Sequence, residues 1–476
     1  MKVKPSEYLR EIKPVLLRLK DRLLQEYPYA SILASDSISK QYSVSKAVTS
    51  VGMTGWLSGR GFVVKVYDGS CYGEYSFNEI SEELIEDIVR KIREELWPMS
   101  EKLPEGVRKS VYAMLEDEPL VFSDSTEYEI DPREYGDEAI IRELAAASEA
   151  GRAYSDKVLD CNAFANYQKY SKLFLSKNRD MEQNVLWMSG GFSVMAARGE
   201  ELKSSYRGFS NLGGAELLSK MREEVCDVAK VALDLLESEP IHPGEYDCVC
   251  TPETTGMIVH EAFGHGVEMD MFVKKRALAE QFVGSQVASN LVTMHDGAGA
   301  AKEVATYFFD DEGVLAQDTV VIEKGILKAG ISDAQSAMHL GTRPTGNGRR
   351  ESYQRKAYTR MTNTFFEGGH DRVEDMIASI DYGFLLEEPS SGMEDPKNWG
   401  IQCMVSIARE IRDGKLTGKI YSPVVLTGYV PDLLKSISMV SETVKLGGGG
   451  MCGKGYKEWV KVSDGGPFIK ARIRLG

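Results

Sequence analysis

Residues 254–270 read Thr254-Thr-Gly-Met-Ile-Val-His260-Glu261-Ala-Phe-Gly-His265-Gly-Val-Glu268-Met-Asp270. This stretch carries two of the six histidines, His260 and His265, with Glu261 directly after the first. At about 100° per residue, five helical steps put the two imidazoles about 140° apart, too far round a regular α-helix to meet at one point. A π-type turn would bring them onto one side, and the glycines flanking His265 give the backbone freedom to form it. The stretch therefore predicts a helix that is irregular or that ends at residues 264–266.

Two histidines with a glutamate beside the first are typical of zinc hydrolases. In the H-E-x-x-H arrangement the histidines hold the metal and the glutamate activates its water. Here the spacing is one residue longer, H-E-x-x-x-H from His260 to His265. Unrelated surface or core residues also occur at such a spacing, so the spacing by itself leaves both interpretations open.

A candidate for a third metal ligand lies in the glycine-rich residues 446–455. This stretch reads Leu446-Gly-Gly-Gly-Gly-Met-Cys452-Gly-Lys-Gly, and its six glycines leave the sulfur of Cys452 unshielded. Cys226 and Cys403 lie among apolar neighbours and are interpreted as ordinary core residues. The alternative for Cys452 is a flexible turn with an incidental cysteine.

Part of this glycine-rich stretch, residues 448–454, also fits the phosphate-binding pattern G-x-x-x-x-G-K. Gly455 stands where that pattern needs a serine or threonine for Mg²⁺. The residues that follow alternate like a strand, whereas a phosphate-binding loop opens a helix. Both observations disfavour a nucleotide site.

The wider chain of 476 residues is long enough for roughly two or three domains. Residues 239–245 carry two prolines and a glycine after a predicted helix and indicate a domain boundary. Beyond them short strand-like runs dominate. We expect an α+β protein of two domains: an N-terminal α+β domain of residues 1–238 with mixed helices and strands, and a C-terminal β-rich domain of residues 239–476 that carries the metal-site helix.

In the first half, the order helix, strands, helix occurs twice. Apolar spacing predicts helices at residues 6–26 and 79–96 around one group of strands, and at 137–150 and 215–238 around another. This order suggests two related α+β units without a visible residue-level repeat. Between them, residues 98–136 are acidic and proline-bearing, and we expect them to form a connection.

Composition excludes several classes of protein. The formal net charge is −15, and nucleic-acid affinity depends on cations that neutralise phosphates, so direct nucleic-acid binding is not expected. No stretch approaches the roughly 18 uninterrupted apolar residues of a membrane span, and the first residues lack the apolar core of a secretory signal. The seven cysteines are odd in number and scattered, which favours reduced thiols. We therefore expect a cytoplasmic protein.

The sequence resembles the TldD/PmbA family, whose members are also labelled modulators of DNA gyrase, and specifically its TldD-like metallopeptidase branch. The likeness extends from the H-E-x-x-x-H core to Glu268 and Asp270, to residues 310–314 (Asp-Asp-Glu-Gly-Val), to residues 360–364 (Arg-Met-Thr-Asn-Thr) and to residues 450–454 (Gly-Met-Cys-Gly-Lys). These motifs span the chain from residue 248 to its C-terminus, with a looser likeness across the first half.

The resemblance implies that the second domain binds Zn²⁺ through His260, His265 and Cys452, with Glu261 as general base. Zinc held by two imidazoles and one thiolate would lower the pKa of its water toward roughly 7. Glu261 would take the proton of this water during attack on a peptide carbonyl and pass it to the leaving amine. The expected function is a zinc-dependent peptidase acting on small or unstructured peptides.

The resemblance also implies a partner. Members of the PmbA branch lack the metal motif and pair with TldD-like subunits, so we expect a dimer, homomeric or heteromeric with a PmbA-like subunit. The alternative function is a non-catalytic regulatory or scaffold subunit with a structural metal, which a fourth protein ligand would favour. A hydrolase with Cys452 as nucleophile is a weaker alternative, because it leaves the position of Glu261 unexplained.

Two further residues are candidates for supporting roles. Glu268 follows His265 by three residues and is expected either to fix that imidazole from behind the metal or to form a surface ion pair. Arg360 is expected either to support a metal ligand or to bind substrate, and residues 341–350 are candidates for binding substrate carbonyls or a terminal carboxylate. For Arg343, Arg349 and Arg350 taken singly, the alternative is a mobile, solvated basic loop. The remaining histidines without partners in the sequence are expected to be structural: His295, His339 and His370.

Overall fold

The computed structural model describes residues 1–55, 57–96, 112–455 and 457–476. These residues form a mixed α+β structure with three larger β-sheets and two two-stranded sheets, which confirms the predicted fold class. Over the described ranges, no helix is both long enough and apolar enough to cross a bilayer.

The first half of the chain is organised around one eight-stranded sheet. Its strands are Tyr29–Val44, Thr49–Gly52, Gly59–Tyr67, Tyr72–Phe77, Leu120–Ser125, Val158–Leu175, Arg179–Arg198 and Glu201–Asn211. The long strands Tyr29–Val44 and Val158–Leu175 pair antiparallel at its centre. The two predicted helix-and-strand units are therefore two halves of one continuous sheet.

Four helices cover one face of this sheet, close to the positions that apolar spacing predicts. Glu7–Leu23 and Ile85–Leu96 pack over one half, and Asp137–Ala153 and Leu217–Leu235 pack over the other. Alternate residues of Tyr29–Val44 lie beneath both pairs, because successive side chains of a strand point to opposite faces. The other face of the sheet is left for the second half of the chain.

The segment between the two units is more than a connection. In its described part, Leu120–Ser125 forms a strand parallel to Arg179–Arg198, and Pro132–Tyr135 forms a short helix. The prediction of a connection over residues 98–136 is wrong there, because apolar side chains of this strand pack against a buried cluster. The acidic residues and prolines around the strand obscure its alternation, and residues 97–111 lie outside the described residues.

The second half is rich in strands, as predicted, and shares one large apolar core. A seven-stranded sheet contains Gly244–Cys250, Tyr382–Asp395, Gly400–Arg412, Lys415–Tyr421, Val424–Tyr429, Met439–Val440 and Ile469–Leu475. It closes on itself because Tyr382–Asp395 pairs with both Gly244–Cys250 and Gly400–Arg412. A six-stranded sheet contains Met294–Asp296, Thr319–Glu323, Ile326–Leu327, Asn363–Phe366, Lys445–Gly447 and Ser463–Gly466.

Short elements connect these sheets. The helices are Pro252–Ile258, Met269–Val273, Ala334–Leu340, Val373–Ala378 and Val430–Lys435, and the strands Gly348–Arg349 and Tyr358–Thr359 pair with each other. The boundary between domains at residues 238 and 239 follows the helix Leu217–Leu235 and stays a prediction.

The two halves contact each other through the sheet face that the helices leave uncovered. Leu33 and Phe174 from the first half pack against Phe309 from the second. Nearby, the buried ammonium of Lys65 pairs with the carboxylate of Glu312. The contact therefore combines apolar packing with a buried ion pair.

Strands Met451–Lys454 and Lys457–Lys461 form an antiparallel pair that we call the cysteine hairpin. Cys452 lies opposite Val460 in this pair. Lys457–Lys461 is the strand that the alternating residues after the glycine-rich stretch predict. A phosphate-binding loop would be followed by a helix, so the structure also disfavours a nucleotide site here.

Candidate metal centre

The histidine-bearing segment changes its helical winding between the two histidines. It begins as the regular helix Pro252–Ile258, where the side chain of Thr251 accepts a hydrogen bond from the backbone N–H of Thr254. A π-helical turn, Val259–Gly264, and a 3₁₀ turn, His265–Val267, follow. The predicted irregularity is confirmed, and it brings the two imidazole centroids to 5.2 Å with an angle of 89° between the rings.

The glycines of this segment are needed for space and not for backbone freedom. Gly264 has φ −62° and ψ −53°, which any residue adopts in a helix. A Cβ at Gly264 would overlap the sulfur of Met361, and a Cβ at Gly266 would overlap the carboxylate of Glu394. The sequence argument was therefore wrong about why glycines flank His265.

The three candidate ligands converge. The Sγ atom of Cys452 lies 3.3 Å from Nε2 of His260 and 3.4 Å from Nε2 of His265. Two atoms bound to one zinc ion at about 2.3 Å and about 2.0 Å with tetrahedral angles would be about 3.5 Å apart. All three ligand atoms lie within 4.8 Å of one another, and no fourth His, Cys, Asp or Glu of the described ranges joins them. The donor set fits zinc.

The charges of the cluster reinforce one another. Burial opposes the thiolate, but the imidazoles of His265 and His260 hold the pKa of Cys452 well below its usual range. Burial would lower the pKa of both histidines, and the Cys452 sulfur raises it instead. The site therefore favours the thiolate form that a metal ligand requires.

Arg360 lies behind the cluster and not on its open side. Its side chain is 0% exposed, and its Nη2 donates to Sγ of Cys452 at 2.9 Å. Its Nε lies 3.4 Å from Oε1 of Glu268, and its Nη1 donates to the carbonyl of Glu458. Of the two roles expected for Arg360, the geometry favours support of a metal ligand over substrate binding, because each of these groups is used within the protein.

Glu268 lies on the far side of His265 from the sulfur. Its Oε2 is 3.5 Å from Nδ1 of His265 and 2.9 Å from Nζ of Lys454, and the residue is 1% exposed. Burial would raise the pKa of Glu268, but Lys454, His265 and Arg360 hold it well below its usual range. The geometry favours fixing of the imidazole over the alternative of a surface ion pair.

Asp464 stands in a similar position behind His260, and the sequence analysis missed it. Its Oδ2 lies 3.8 Å from Nδ1 of His260, a nitrogen that is buried without a hydrogen-bond partner among the described residues. Burial raises the pKa of Asp464 to about 6. Nothing in its neighbourhood, Lys461-Val-Ser-Asp464-Gly-Gly, marks it in the sequence.

Glu261 is half-buried, one residue after the first ligand. Its Cγ lies against Gly392, where any Cβ would overlap it. Burial raises the pKa of Glu394 and Asp464, and the charge of Glu261 adds to both shifts. No pattern in the sequence singled out Gly392 or Glu394, because both come from a strand distant along the chain.

The arginines of residues 341–350 do not behave as one solvated loop. Arg349 donates to the carbonyl oxygens of Met361 and Lys461, each at 2.6 Å. Arg350 pairs with Glu74 of the first half. Both side chains therefore bind other parts of the protein: Arg349 joins two segments of the second half, and Arg350 joins the second half to the first.

Comparisons with known proteins identify relatives of this chain. Residues 243–472 match the family model described as PmbA/TldA metallopeptidase C-terminal domain. A protein of Synechocystis sp. named Metalloprotease slr0863 is 30% identical over 67% of this chain and 69% of its own length. The chain belongs to the TldD/PmbA family.

Other TldD/PmbA relatives either have a lower sequence identity to this chain or align over a smaller part of it. A Methanothermobacter thermautotrophicus protein named Metalloprotease is 28% identical over 70% of this chain and 72% of its own. A Saccharolobus solfataricus protein named Zinc metalloprotease TldD homolog is 27% identical over 54% of this chain and 57% of its own. Alignments with several further curated relatives span about half of those proteins.

The fold is also shared with solved structures. TldE from Thermococcus kodakarensis superposes with a TM-score of 0.75 over 97% of this chain and 100% of its own, at 17% identity. Since TldD/PmbA relatives are named metalloproteases, and one a zinc metalloprotease, a metallopeptidase is supported at the level of the family.

Proposed function

We propose that this chain is a zinc-dependent peptidase that hydrolyses small or unstructured peptides. His260, His265 and Cys452 would hold the zinc ion, and Glu261 would act as general base. The proposal rests on the convergence of three donor atoms within 4.8 Å that no fourth ligand-type residue of the described ranges completes. Three protein ligands with one open position are typical of catalytic zinc, whereas structural sites are closed.

The residues around the ligands have distinct tasks in this proposal. Bound zinc supplies Lewis acidity that polarises a carbonyl and lowers the pKa of water. Glu261 would accept the proton of the attacking water and deliver it to the leaving amine. Arg360 and Glu268 hold Cys452 and His265 in orientation by hydrogen bonding and charge, which keeps the open side of the cluster free.

The cysteine hairpin offers a means of binding an extended peptide. It is a two-stranded sheet, and within the described ranges no third strand pairs with it. A peptide could add to the edge of Met451–Lys454 through main-chain hydrogen bonds, beside Cys452. Only an unfolded segment can adopt this conformation, which is why we infer small or unstructured substrates.

The assembly and location in this proposal follow from the family resemblance. We infer a cytoplasmic dimer, either of two identical chains or with a PmbA-like subunit, whose subunits have domains at residues 1–238 and 239–476. The net charge of −15 argues against direct nucleic-acid binding.

Substitution Glu261→Gln tests the proposal. It should reduce cleavage of an unstructured reporter peptide by about 10³-fold, because the general base is lost, while bound zinc is unchanged. The matched control is Glu253→Gln, an exposed glutamate at the start of the same helical segment, which should cleave normally. Zinc is measured by elemental analysis on the same preparations.

The competing functions give different results. Unchanged cleavage by zinc-loaded Glu261→Gln would contradict the proposed role of Glu261. Cleavage that survives complete removal of zinc by a chelator, but not alkylation of Cys452, would indicate a thiol hydrolase. Absence of cleavage by the fully zinc-loaded wild type, alone and with a PmbA-like subunit, would favour the regulatory subunit.

A further inference from the structure

Glu394 is an acid close to the metal cluster that has no part in the roles described above. Its Oε2 accepts a hydrogen bond from the backbone N–H of Gly266 at 3.0 Å. Its Oε1 is buried and has no hydrogen-bond partner among the described residues. Buried polar atoms are normally hydrogen-bonded, and a buried charge without a partner is costly. Oε1 of Glu394 is therefore an acceptor that the described chain does not use.

The strand Tyr382–Asp395 directs Glu394 toward the histidine-bearing segment. Gly392 and Glu394 are two residues apart on this strand, so both positions face the same side of the sheet. Gly392 lies against the side chain of Glu261, and Glu394 binds Gly266 one helical turn further along the segment. Glu394 therefore lies on the strand that packs against the proposed base.

The position of Glu394 differs from that of the acids that orient the imidazoles. Those acids lie behind the two histidines, at their Nδ1 atoms. Burial raises the pKa of Glu394, the charge of His265 opposes this shift, and the charge of Glu261 adds to it. Both a ligand and the base are therefore close to Glu394. These neighbours put its carboxyl group beside Glu261, which would face the attacked carbonyl.

Gly266 provides the space that this carboxyl group occupies. A Cβ at Gly266 would overlap Oε1 of Glu394, so any side chain there would displace the carboxyl group. Gly266 lies in the 3₁₀ turn His265–Val267 and does not have a positive φ, so the backbone does not require a glycine. The missing side chain therefore serves the carboxyl group of Glu394, whose Oε1 has no partner within the described chain.

The partner that suits Oε1 best is a small cation. A positively charged donor forms the strongest hydrogen bond to a carboxylate, and its charge offsets the repulsion between Glu394 and Glu261. A peptide offers an α-ammonium group and the side chains of lysine and arginine. The α-nitrogen of the first residue lies about 2.5 Å from the carbonyl carbon of that residue, whereas a side-chain cation is several bonds further away. A site beside the base therefore favours the α-ammonium group.

We propose that Glu394 binds the free α-ammonium group of the substrate, which makes this site an aminopeptidase that releases single residues from the N-terminus of a peptide. Water adds to the carbonyl carbon of the first residue, the bond to the next nitrogen breaks, and the proton taken by Glu261 goes to that nitrogen. The rest of the peptide lies along the edge of the cysteine hairpin. This inference rests on the proposed peptidase function and names its substrate class, peptides with a free N-terminus.

A matched pair of peptides tests the role of Glu394. One is an unstructured pentapeptide amide with a free N-terminal amine, and the other has this amino group replaced by hydrogen. The zinc-loaded full chain should cleave the first bond of the free-amine peptide with a kcat/KM at least about 10²-fold higher, because the other peptide leaves a buried acceptor unpaired. Glu394→Gln should abolish this difference by lowering kcat/KM for the free-amine peptide alone. Glu374→Gln, at an exposed glutamate, should change neither value.

Binding provides a second measurement that does not depend on turnover. Calorimetric titration of zinc-loaded Glu261→Gln should show at least about tenfold tighter binding of the free-amine peptide than of its partner without the amine. In the double variant Glu261→Gln/Glu394→Gln, the two peptides should bind equally.

The outcomes separate this inference from the proposed function. If the zinc-loaded wild type cleaves no peptide, both are overturned. Equal cleavage and equal binding of the two peptides, or cleavage of internal bonds first, would overturn the role of Glu394 and leave the peptidase proposal standing. Loss of cleavage of both peptides in Glu394→Gln with unchanged zinc would also overturn this role, because the acid would then not recognise the amine.

Discussion

Two histidine environments in the second half of the chain are built differently. At His295 both ring nitrogens are engaged by carboxylates, Nδ1 by Asp318 at 2.6 Å and Nε2 by Glu367 at 2.9 Å. The ring also stacks on Phe365 with 5.2 Å between centroids. This arrangement uses the whole imidazole for structure.

At the metal cluster only one nitrogen of each imidazole faces a carboxylate. Nδ1 of His260 lies 3.8 Å from Asp464, and Nδ1 of His265 lies 3.5 Å from Glu268. Both Nε2 atoms are directed at Cys452. The difference teaches that a histidine becomes available to zinc when an acid orients one nitrogen and leaves the other facing a second ligand.

Substitution Cys452→Ala should have the largest effect on the difference between the two histidine environments. It removes the only thiolate of the cluster, so zinc per chain after gel filtration should fall from one to nearly zero, and peptide cleavage should be lost. Elemental analysis provides the measurement. Cys226→Ala provides the control, because Cys226 is exposed and is not the core residue that its apolar neighbours indicated. Full zinc retention in Cys452→Ala would remove Cys452 from the ligand set.

Substitution Gly392→Ala sharpens the comparison by displacing Glu261, the proposed base, without touching a proposed ligand. A Cβ at this position overlaps Glu261, and a shift of about 1 Å costs roughly 10²-fold in rate. We expect kcat to fall by about that factor while zinc content is unchanged. The control is Gly428→Ala, because a Cβ there meets nothing within 4 Å. Normal kcat in Gly392→Ala would show that the position of Glu261 is unimportant.

Substitution Glu268→Gln tests the acid behind His265. It should weaken zinc affinity by about 10-fold to 100-fold, because the imidazole loses its charged partner. Competition with a chromogenic chelator measures this affinity. Glu280→Gln, which disrupts an ion pair with exposed Lys275, should leave it unchanged. Equal affinities in the two variants would mean that Glu268 only stabilises the fold.

Substitution His295→Gln should have the smallest effect. Its carboxylate partners are about half exposed, so we expect a loss of about 1 kcal/mol in the free energy of unfolding. Denaturant titration measures this loss, and zinc content should not change. A loss of zinc in this variant would erase the distinction between the two environments.

The sequence predicted the parts of this site that depend on local spacing. The five-residue separation of His260 and His265 predicted a helix that is irregular or ends near residues 264–266, and the structure has a π-helical turn there. The alternation after the glycine-rich stretch predicted the second strand of the cysteine hairpin. Helices of the first half were likewise predicted from apolar periodicity, because burial of one helical face is a local pattern.

What the sequence could not predict depends on contacts between distant segments. Asp464 and Gly392 reach the metal cluster only through sheet pairing, and nothing in their neighbourhoods marks them. Substrate binding was one role expected for Arg360, but its side chain is buried against Cys452 and Glu268, which lie 92 residues after it and 92 residues before it in the chain. The joining of two helix-and-strand units into one sheet was hidden for the same reason.

The X-ray absorption spectrum of zinc in the full chain tests the central claim most directly. We predict one sulfur neighbour at about 2.3 Å and two imidazole nitrogens at about 2.0 Å, with one further light atom that is not a protein ligand. Zinc without a sulfur neighbour, or zinc enclosed by four protein ligands, would contradict the account.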